Sequence, residues 1–465
     1  AEILRPQGYN TFAVGKWHLM RMTKATAAGP FDAWPLGRGF DRFYGFLGAF
    51  ADHYDPELVQ DNQPIKAPRS EGYHLTEDLT DQAISMIKSQ KSVAPEKPFF
   101  LYYAPGACHS PHQVPKDYIK KYEGKFDAGW DEMRKVWFER QQKLGIIPND
   151  AKLTELNKEV TPWNDLSQDQ KKLCARMQEV YAGFLDHTDS QIGRLISFLK
   201  DIEQYENTIV IFLSDNGASD EGGEFGNLNI RKHYSFIHES FDELFSAMDD
   251  YGSKYASNLY PMGWGHAGNT PLKWFKMDTH GGGIRDPFIV SWPQSIKAGG
   301  EIREQFHHCT DVVPTILDYL NIEAPETVNG IPQEPIHGQS MRASFEDRAS
   351  LTPKRAQYFE MLGDRGIWAD GWKAVTRHTK GTSFDDDVWE LYHVDKDFSE
   401  FHNLADKKPD KLREMVDLWW AEAGKYDVLP LDDRDRERVA STLRATARKR
   451  YRYYPSMARI DRMST

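Results

Sequence analysis

Four short polar clusters carry side chains suited to handling an anion. They are Lys16 and His18 in GKWHL, His109 and His112 in CHSPHQ, Asp215 and Asn216 in SDNG, and Lys276 and His280 in KMDTHGGG. Singly, each has an ordinary explanation: Asp-Asn-Gly is a common turn, a histidine beside proline commonly caps or packs, and a lysine is usually solvated. Together they supply two lysines, several imidazoles and two hard oxygen donors. Lysines neutralise the non-bridging oxygens of a tetrahedral oxyanion, an imidazole donates a proton to a leaving oxygen, and Asp and Asn oxygens suit Ca²⁺ or Mg²⁺. Acyl chemistry fits less well, since no GxSxG elbow occurs. These residues alone leave two readings open, an anionic-ester hydrolase and an anion-binding α/β protein.

Each cluster adjoins a segment that reads as a strand, and in an open α/β sheet ligands bind at the carboxyl ends of strands. A buried strand is expected over Thr11 to Val14, followed by a Gly- and aromatic-rich stretch (GRGFDRFYGFLGAF) with too little period for a regular element. Thr76 reads as the N-cap of a helix running through Ile87, and KPFFLYYA as a strand ending near Ala104. Residues 116–170 are charged and carry no strong period, the pattern of an insertion or helical excursion on the surface. From Lys171 the apolar positions Leu173, Met177, Val180, Phe184, Ile192, Leu195 and Leu199 follow a helix. TIVIFLSDNG then reads as a core parallel strand ending at Asp215, residues 217–268 as a long loop, and PFIVSW as another strand. Thr310 is expected to cap a helix from Asp311 to Leu320, and a last helix runs from Asp410 to Tyr426.

The chain has 465 residues and a net charge of −12, which argues against a general nucleic-acid binder. Its three cysteines, Cys108, Cys174 and Cys309, show no CxxC spacing and give no disulfide framework. No stretch approaches the roughly 18 apolar residues of a membrane span, and AEILRPQGYN lacks the apolar core of a signal peptide.

The motifs resemble those of the type I, formylglycine-dependent sulfatases, most closely the larger bacterial-type arylsulfatases. GYNTFAVGKWHL is similar to the family's second signature, GY-x-T-x₃-GKWH-L. APGACHSPHQVP, FLSDNG, NTPLKWFKMDTHGGGIRDPFIVSWP, CTDVVPTILDYL and VNGIPQEPIHGQSM match further family segments, so the resemblance runs from residue 8 to roughly residue 455. It implies an alkaline-phosphatase-like α/β sandwich with a mixed, mainly parallel sheet between helices and a smaller C-terminal α+β subdomain. The boundaries expected are 1–344 for the catalytic domain, 345–430 for the subdomain, and 431–465 for an Arg- and Tyr-rich tail that begins a further segment.

Carried over by position, the resemblance makes Lys16 and His18 line a sulfate pocket, with His18 as base toward the nucleophile's hydroxyl. It makes His109 the general acid at the ester oxygen and has Lys276 grip a sulfate oxygen. Asp215 and Asn216 become two ligands of a Ca²⁺ ion, with Mg²⁺ as the alternative, while His112 and His280 stay structural or rim residues. The expected substrate is a small-molecule sulfate ester, with no nucleic acid and no membrane as partner. Two family elements have no counterpart: the opening Asp-Asp strand, and the C/S-x-P-x-R motif whose Cys or Ser becomes formylglycine. None of the three cysteines stands in that motif. The expectation is therefore an N-terminally truncated sulfatase that binds metal weakly and turns over no sulfate ester by itself. The rival expectations are a phosphonate monoester or phosphodiester hydrolase, and a non-catalytic anion-binding protein.

Overall fold

The computed structural model describes residues 1–434, so the Arg- and Tyr-rich stretch expected beyond that point lies outside the described residues. The described residues form two compact units, 1–149 with 155–271 and 286–354, and 150–154 with 272–285 and 355–434.

The first unit is built on a five-stranded sheet in the order β4-β3-β2-β1-β5. Its strands are β1 (Asn10–Lys16), β2 (Arg42–Phe46), β3 (Leu58–Gln60), β4 (Gln63–Ile65) and β5 (Phe99–Ala104). β1 runs parallel to both β2 and β5, whereas β3 and β4 are antiparallel. Helix α1 (Leu75–Val93) buries Leu75, Leu79, Ala83 and Ile87 at helical spacing, and these pack with Val14, Tyr44, Phe46, Leu195 and Leu199. The last two lie on the long helix α4 (Gln168–Asp201). Ser167 and Gln170 start α4 with a reciprocal capping box, which satisfies two otherwise orphaned backbone N–H groups.

Four expectations need correction. The stretch read as irregular contains β2, whose residues after Arg42 are all buried. A strand covered on both faces shows no alternation, so periodicity misses it. The cap of α1 is His74 rather than Thr76: the His74 Nδ1 accepts the Thr76 N–H at 3.2 Å. Strand β6 (Val210–Leu213) is not a core parallel strand, because it pairs antiparallel with β7 (Phe288–Ser291) in a separate two-stranded sheet. Phe212 and Leu213 are 44% and 43% exposed, so its apolar run is not covered on both faces. The helix expected at Asp311 begins as a 3-10 turn, Cys309–Asp311, ahead of the α-helix Val312–Leu320.

The segment read as an insertion or helical excursion is helical, and the one read as a long loop is structured too. Residues 116–170 hold α2 (Lys116–Lys120) and α3 (Gly129–Lys143), and the later segment holds α5 (Ile230–Tyr234), α6 (Phe241–Ser246) and α7 (Met262–Gly268). Trp130, Trp163 and Trp264 meet in one aromatic cluster, with ring centroids 4.7–5.9 Å apart. Their exposures of 1–5% make this a genuine core that joins the two segments.

The second unit contains α8 (Gly281–Ile284) and an antiparallel sheet; between them in sequence the first unit holds α9 (Val312–Leu320), the hairpin β8–β9 (Thr327–Val328, Ile331–Pro332) and α10 (Arg342–Glu346). The sheet comprises β10 (Ala356–Met361), β11 (Asp364–Ala369), β12 (Trp372–Thr376) and β13 (Glu390–His393) in sequential order. Helix α11 (Pro409–Lys425) covers it through Met415, Trp419 and Ala423, which pack on Ile367, Ala374 and Leu391.

Candidate active site

Lys16 ends β1 and pairs in register with Phe46 at the end of β2. On the other side, Gly15 pairs with Ala104, the last residue of β5. Three strand ends therefore stop at the same level. The fit is close: a Cβ on Gly15, whose φ is +107°, would stand 1.9 Å from the Ala104 carbonyl oxygen. Only glycine can occupy that position. Trp17 then turns inward, 5% exposed, and donates its indole N–H to the Ala33 carbonyl at 2.9 Å. With Trp17 pinned inside, the half-buried Lys16 and the exposed His18 flank it along the rim. His18 has a left-handed φ of 41°, a conformation that non-glycine residues keep mainly where the surroundings impose it.

His109 lies in the loop after β5, within the same unit. Its Nδ1–H donates to the Ser110 carbonyl at 2.8 Å, since a carbonyl can only accept. That bond fixes Nδ1 as a protonated ring nitrogen. The Phe50 ring, shortly after β2, lies parallel to the imidazole at 2° and 6.2 Å, and Phe50 also stacks on Tyr234 at 5.9 Å. Neither aromatic was foreseen. Tyr234 comes from the segment read as a loop, where no pattern marks it. His112 is not on the rim: it is 2% exposed and lies between Tyr181 and Tyr260. Burial, aided by the nearby His109, lowers its pKa to about 3.

Asp215 and Asn216 follow β6. The Asn216 amide donates to the Gly217 carbonyl at 2.9 Å, which turns its oxygen away from that carbonyl. Asn269 clamps the next residue, accepting the Ala218 N–H at 2.8 Å and donating to its carbonyl at 3.3 Å. A further carboxylate comes from Asp286, separated from β7 by Pro287. Burial and the charge of Asp215 raise its pKa to about 7. Asp286 stands in the motif GGGIRDPFIVSWP, where a carboxylate just ahead of an apolar strand is the signal that marks it. The burial of Tyr102 and the charge of Asp215 also raise the Tyr102 hydroxyl, which places Asp215 near β5. These donors suit a hard cation in kind, and the Asp215–Asp286 repulsion is the sort a cation would relieve. In number they fall short of the six to eight oxygens Ca²⁺ takes. Among the described residues no group of three or more His, Cys, Asp or Glu side chains could hold a metal ion.

Lys276 and His280 belong to the second unit. Lys276 is half-buried, and His280 is fully buried, 3.6 Å from Glu390. The thiols of Cys108, Cys174 and Cys309 are all raised by burial, Cys108 to about 12. None is activated as a nucleophile.

A rim of strand-end lysine and histidines beside an Asp-Asn pair accords with the family description that the chain matches. The sulfatase description fits residues 1–322. The chain belongs to the sulfatase family. A second description, the C-terminal part of N-sulphoglucosamine sulphohydrolase, fits residues 273–418 and so includes the Lys276 turn. This sulfatase chain is 28% identical to an uncharacterised sulfatase of Schizosaccharomyces pombe, over 93% of its own length and 77% of the relative's. It is 29% identical to the arylsulfatase of Klebsiella aerogenes, over 74% and 72% of the two chains. Among solved structures, BT4656 in complex with its substrate D-glucosamine-2-N,6-O-disulfate superposes with a TM-score of 0.55 at 21% identity, covering 93% of this chain and 83% of that one. The sulfatase chain has the alkaline-phosphatase-like α/β fold expected from its motifs. Among its described residues no helix is long and apolar enough to cross a membrane.

Proposed function

We propose that this sulfatase carries the oxyanion-gripping and leaving-group apparatus of a sulfuric ester hydrolase acting on a small-molecule sulfate ester. The observation that carries the reading is the alignment of β1, β2 and β5, which ends Lys16 and the His109 loop on one rim. Lys16 offsets charge on a sulfate oxygen, and His18 serves as base toward the nucleophile's hydroxyl. His109, its Nδ1–H committed to Ser110, carries a proton on Nε2 to the ester oxygen as the S–O bond breaks. Lys276 holds a second sulfate oxygen. Asp215 and Asn216, with Asp286 close to Asp215, are the residues that would hold part of a Ca²⁺ or Mg²⁺ shell, and such an ion would supply charge stabilisation of the oxyanion. A formylglycine would supply the attacking hydroxyl, but no C/S-x-P-x-R stretch occurs in the 465 residues. This chain by itself should therefore bind the anion without hydrolysing the ester. The sulfated-sugar complex of BT4656 and the arylsulfatase relative support a sulfate ester as the ligand class.

Two measurements test the reading. Inorganic sulfate titrated into the chain should shift the imidazole resonances of His109, and Lys16→Ala should weaken that binding by about tenfold, roughly 1.4 kcal/mol. Equal binding by parent and variant would remove Lys16 from the site. Hydrolysis of an aryl sulfate above a Lys276→Ala control would overturn the expected inactivity.

A further inference from the structure

The turn that carries Lys276 is strained and is held from one side by buried charge. Trp274 and Met277, on either side of Lys276, have left-handed φ of 66° and 81°. Such conformations are unfavourable in non-glycine residues and persist only where neighbours over-determine them. Here the chain folds tightly back on itself. The Gly282 N–H donates to the Lys273 carbonyl at 2.8 Å, and a Cβ on Gly283 would meet the Asp278 carbonyl oxygen at 2.1 Å. Asp278 accepts the Phe275 N–H and pairs with Arg377 at 2.7 Å, while the Arg377 guanidinium lies 3.5 Å from the Trp274 ring centroid. The Thr279 hydroxyl donates to the Arg365 carbonyl at 3.0 Å.

At the far end of the turn stands Glu400, 3% exposed. One of its oxygens accepts from the Lys373 ammonium at 2.6 Å and the other accepts the Gly281 N–H at 3.1 Å. Lys373 is itself 4% exposed, on β12. Glu400 too is left-handed, with φ 59°, in a loop where Asp397 accepts the N–H groups of Phe401 and His402. A buried Lys–Glu pair contributes little net stability, because the desolvation of both charges offsets their attraction. Two strained residues, an ion pair out of water and a backbone hydrogen bond are therefore arranged to little energetic advantage unless the arrangement itself matters.

We propose that Glu400, oriented by Lys373, is a positioning residue for Lys276: it fixes the Gly281 N–H and so the curvature of the turn that presents the lysine. The inference rests on the sulfate-gripping role proposed for Lys276.

Two double variants separate geometry from charge. K373M/E400Q removes both charges but keeps an oxygen for the Gly281 N–H, whereas K373M/E400L removes both charges and the acceptor. The first should bind inorganic sulfate within about twofold of the parent, and the second about tenfold more weakly at a melting temperature within a few degrees of the first. Equal sulfate affinity of the two doubles, with Lys276→Ala weaker than both, would overturn the proposal. If Lys276→Ala binds sulfate as the parent does, the role of Lys276 fails instead. The positioning is then judged on hydrogen exchange of the Gly281 amide, slow in K373M/E400Q and fast in K373M/E400L if the proposal holds, equal in both if it does not. Should K373M/E400L not fold, the parent decides: slow exchange at Gly281 supports the proposal, and exchange at the rate of an open loop overturns it.

Discussion

Gly15 and Ala104 approach so closely that no side chain fits between β1 and β5: a Cβ on Gly15 would lie 1.9 Å from the Ala104 carbonyl oxygen. Gly15→Ala should therefore push the strands apart or strip Lys16 of its register. The expected cost is about 2–4 kcal/mol, from overpacking and from φ +107° together. Denaturant midpoints of parent and variant measure it, and a loss under about 0.5 kcal/mol would show that the strand ends tolerate separation.

Buried histidines make the first unit sensitive to acid. His53, His74 and His187 form a chain of ring contacts at 5.1 and 4.4 Å, with Glu77 accepting from His187 at 3.0 Å and the Gln113 carbonyl from His74 at 3.0 Å. Burial lowers the pKa of His74 and His112 to about 3. A histidine unfolds to a pKa near 6.5, so below that the unfolded state binds more protons and stability falls. Each group contributes fully above about pH 6.5 and loses roughly 1.4 kcal/mol per pH unit as the pH drops toward 3. Stability measured at pH 7.5, 6 and 4.5 should decline accordingly, and His74→Asn with His112→Phe should flatten the slope. An unchanged slope in the double variant would place the acid sensitivity elsewhere.

Trp264 gives a direct check on the segments first read as excursion and loop. Its indole donates to the Cys174 carbonyl at 2.8 Å, and its ring meets Trp130 and Trp163. Trp264→Ala should cost roughly 3–5 kcal/mol, as a large buried aromatic does. Thermal unfolding within about 1 °C of the parent would mean that the cluster adds no core.

Calcium should stabilise the chain only weakly, because Asp215, Asn216 and Asp286 supply too few oxygens. At 1 mM Ca²⁺ the expected gain is under about 1 kcal/mol, and Asp215→Ala should abolish it. A gain of about 2.7 kcal/mol, the value at a hundredfold excess over Kd, would reveal a more complete site.

What the residues determined by themselves was local chemistry. GKWHL, SDNG and the strand-forming runs beside them are written in short stretches, and a strand end places its neighbours without help from afar. The tertiary structure decided whatever depends on partners distant in the chain. Fully buried β2 carries no alternation, and β6 reads as a core strand although its pairing leaves Phe212 half exposed. Phe50 and Tyr234 stack only because separate segments converge beside His109. Lys276 lies in sequence within a family motif that runs on into β7, yet its turn belongs to the antiparallel unit. The Gly281 N–H that shapes this turn finds its acceptor in Glu400, more than a hundred residues away, and no spacing in the sequence announces a bond of that range.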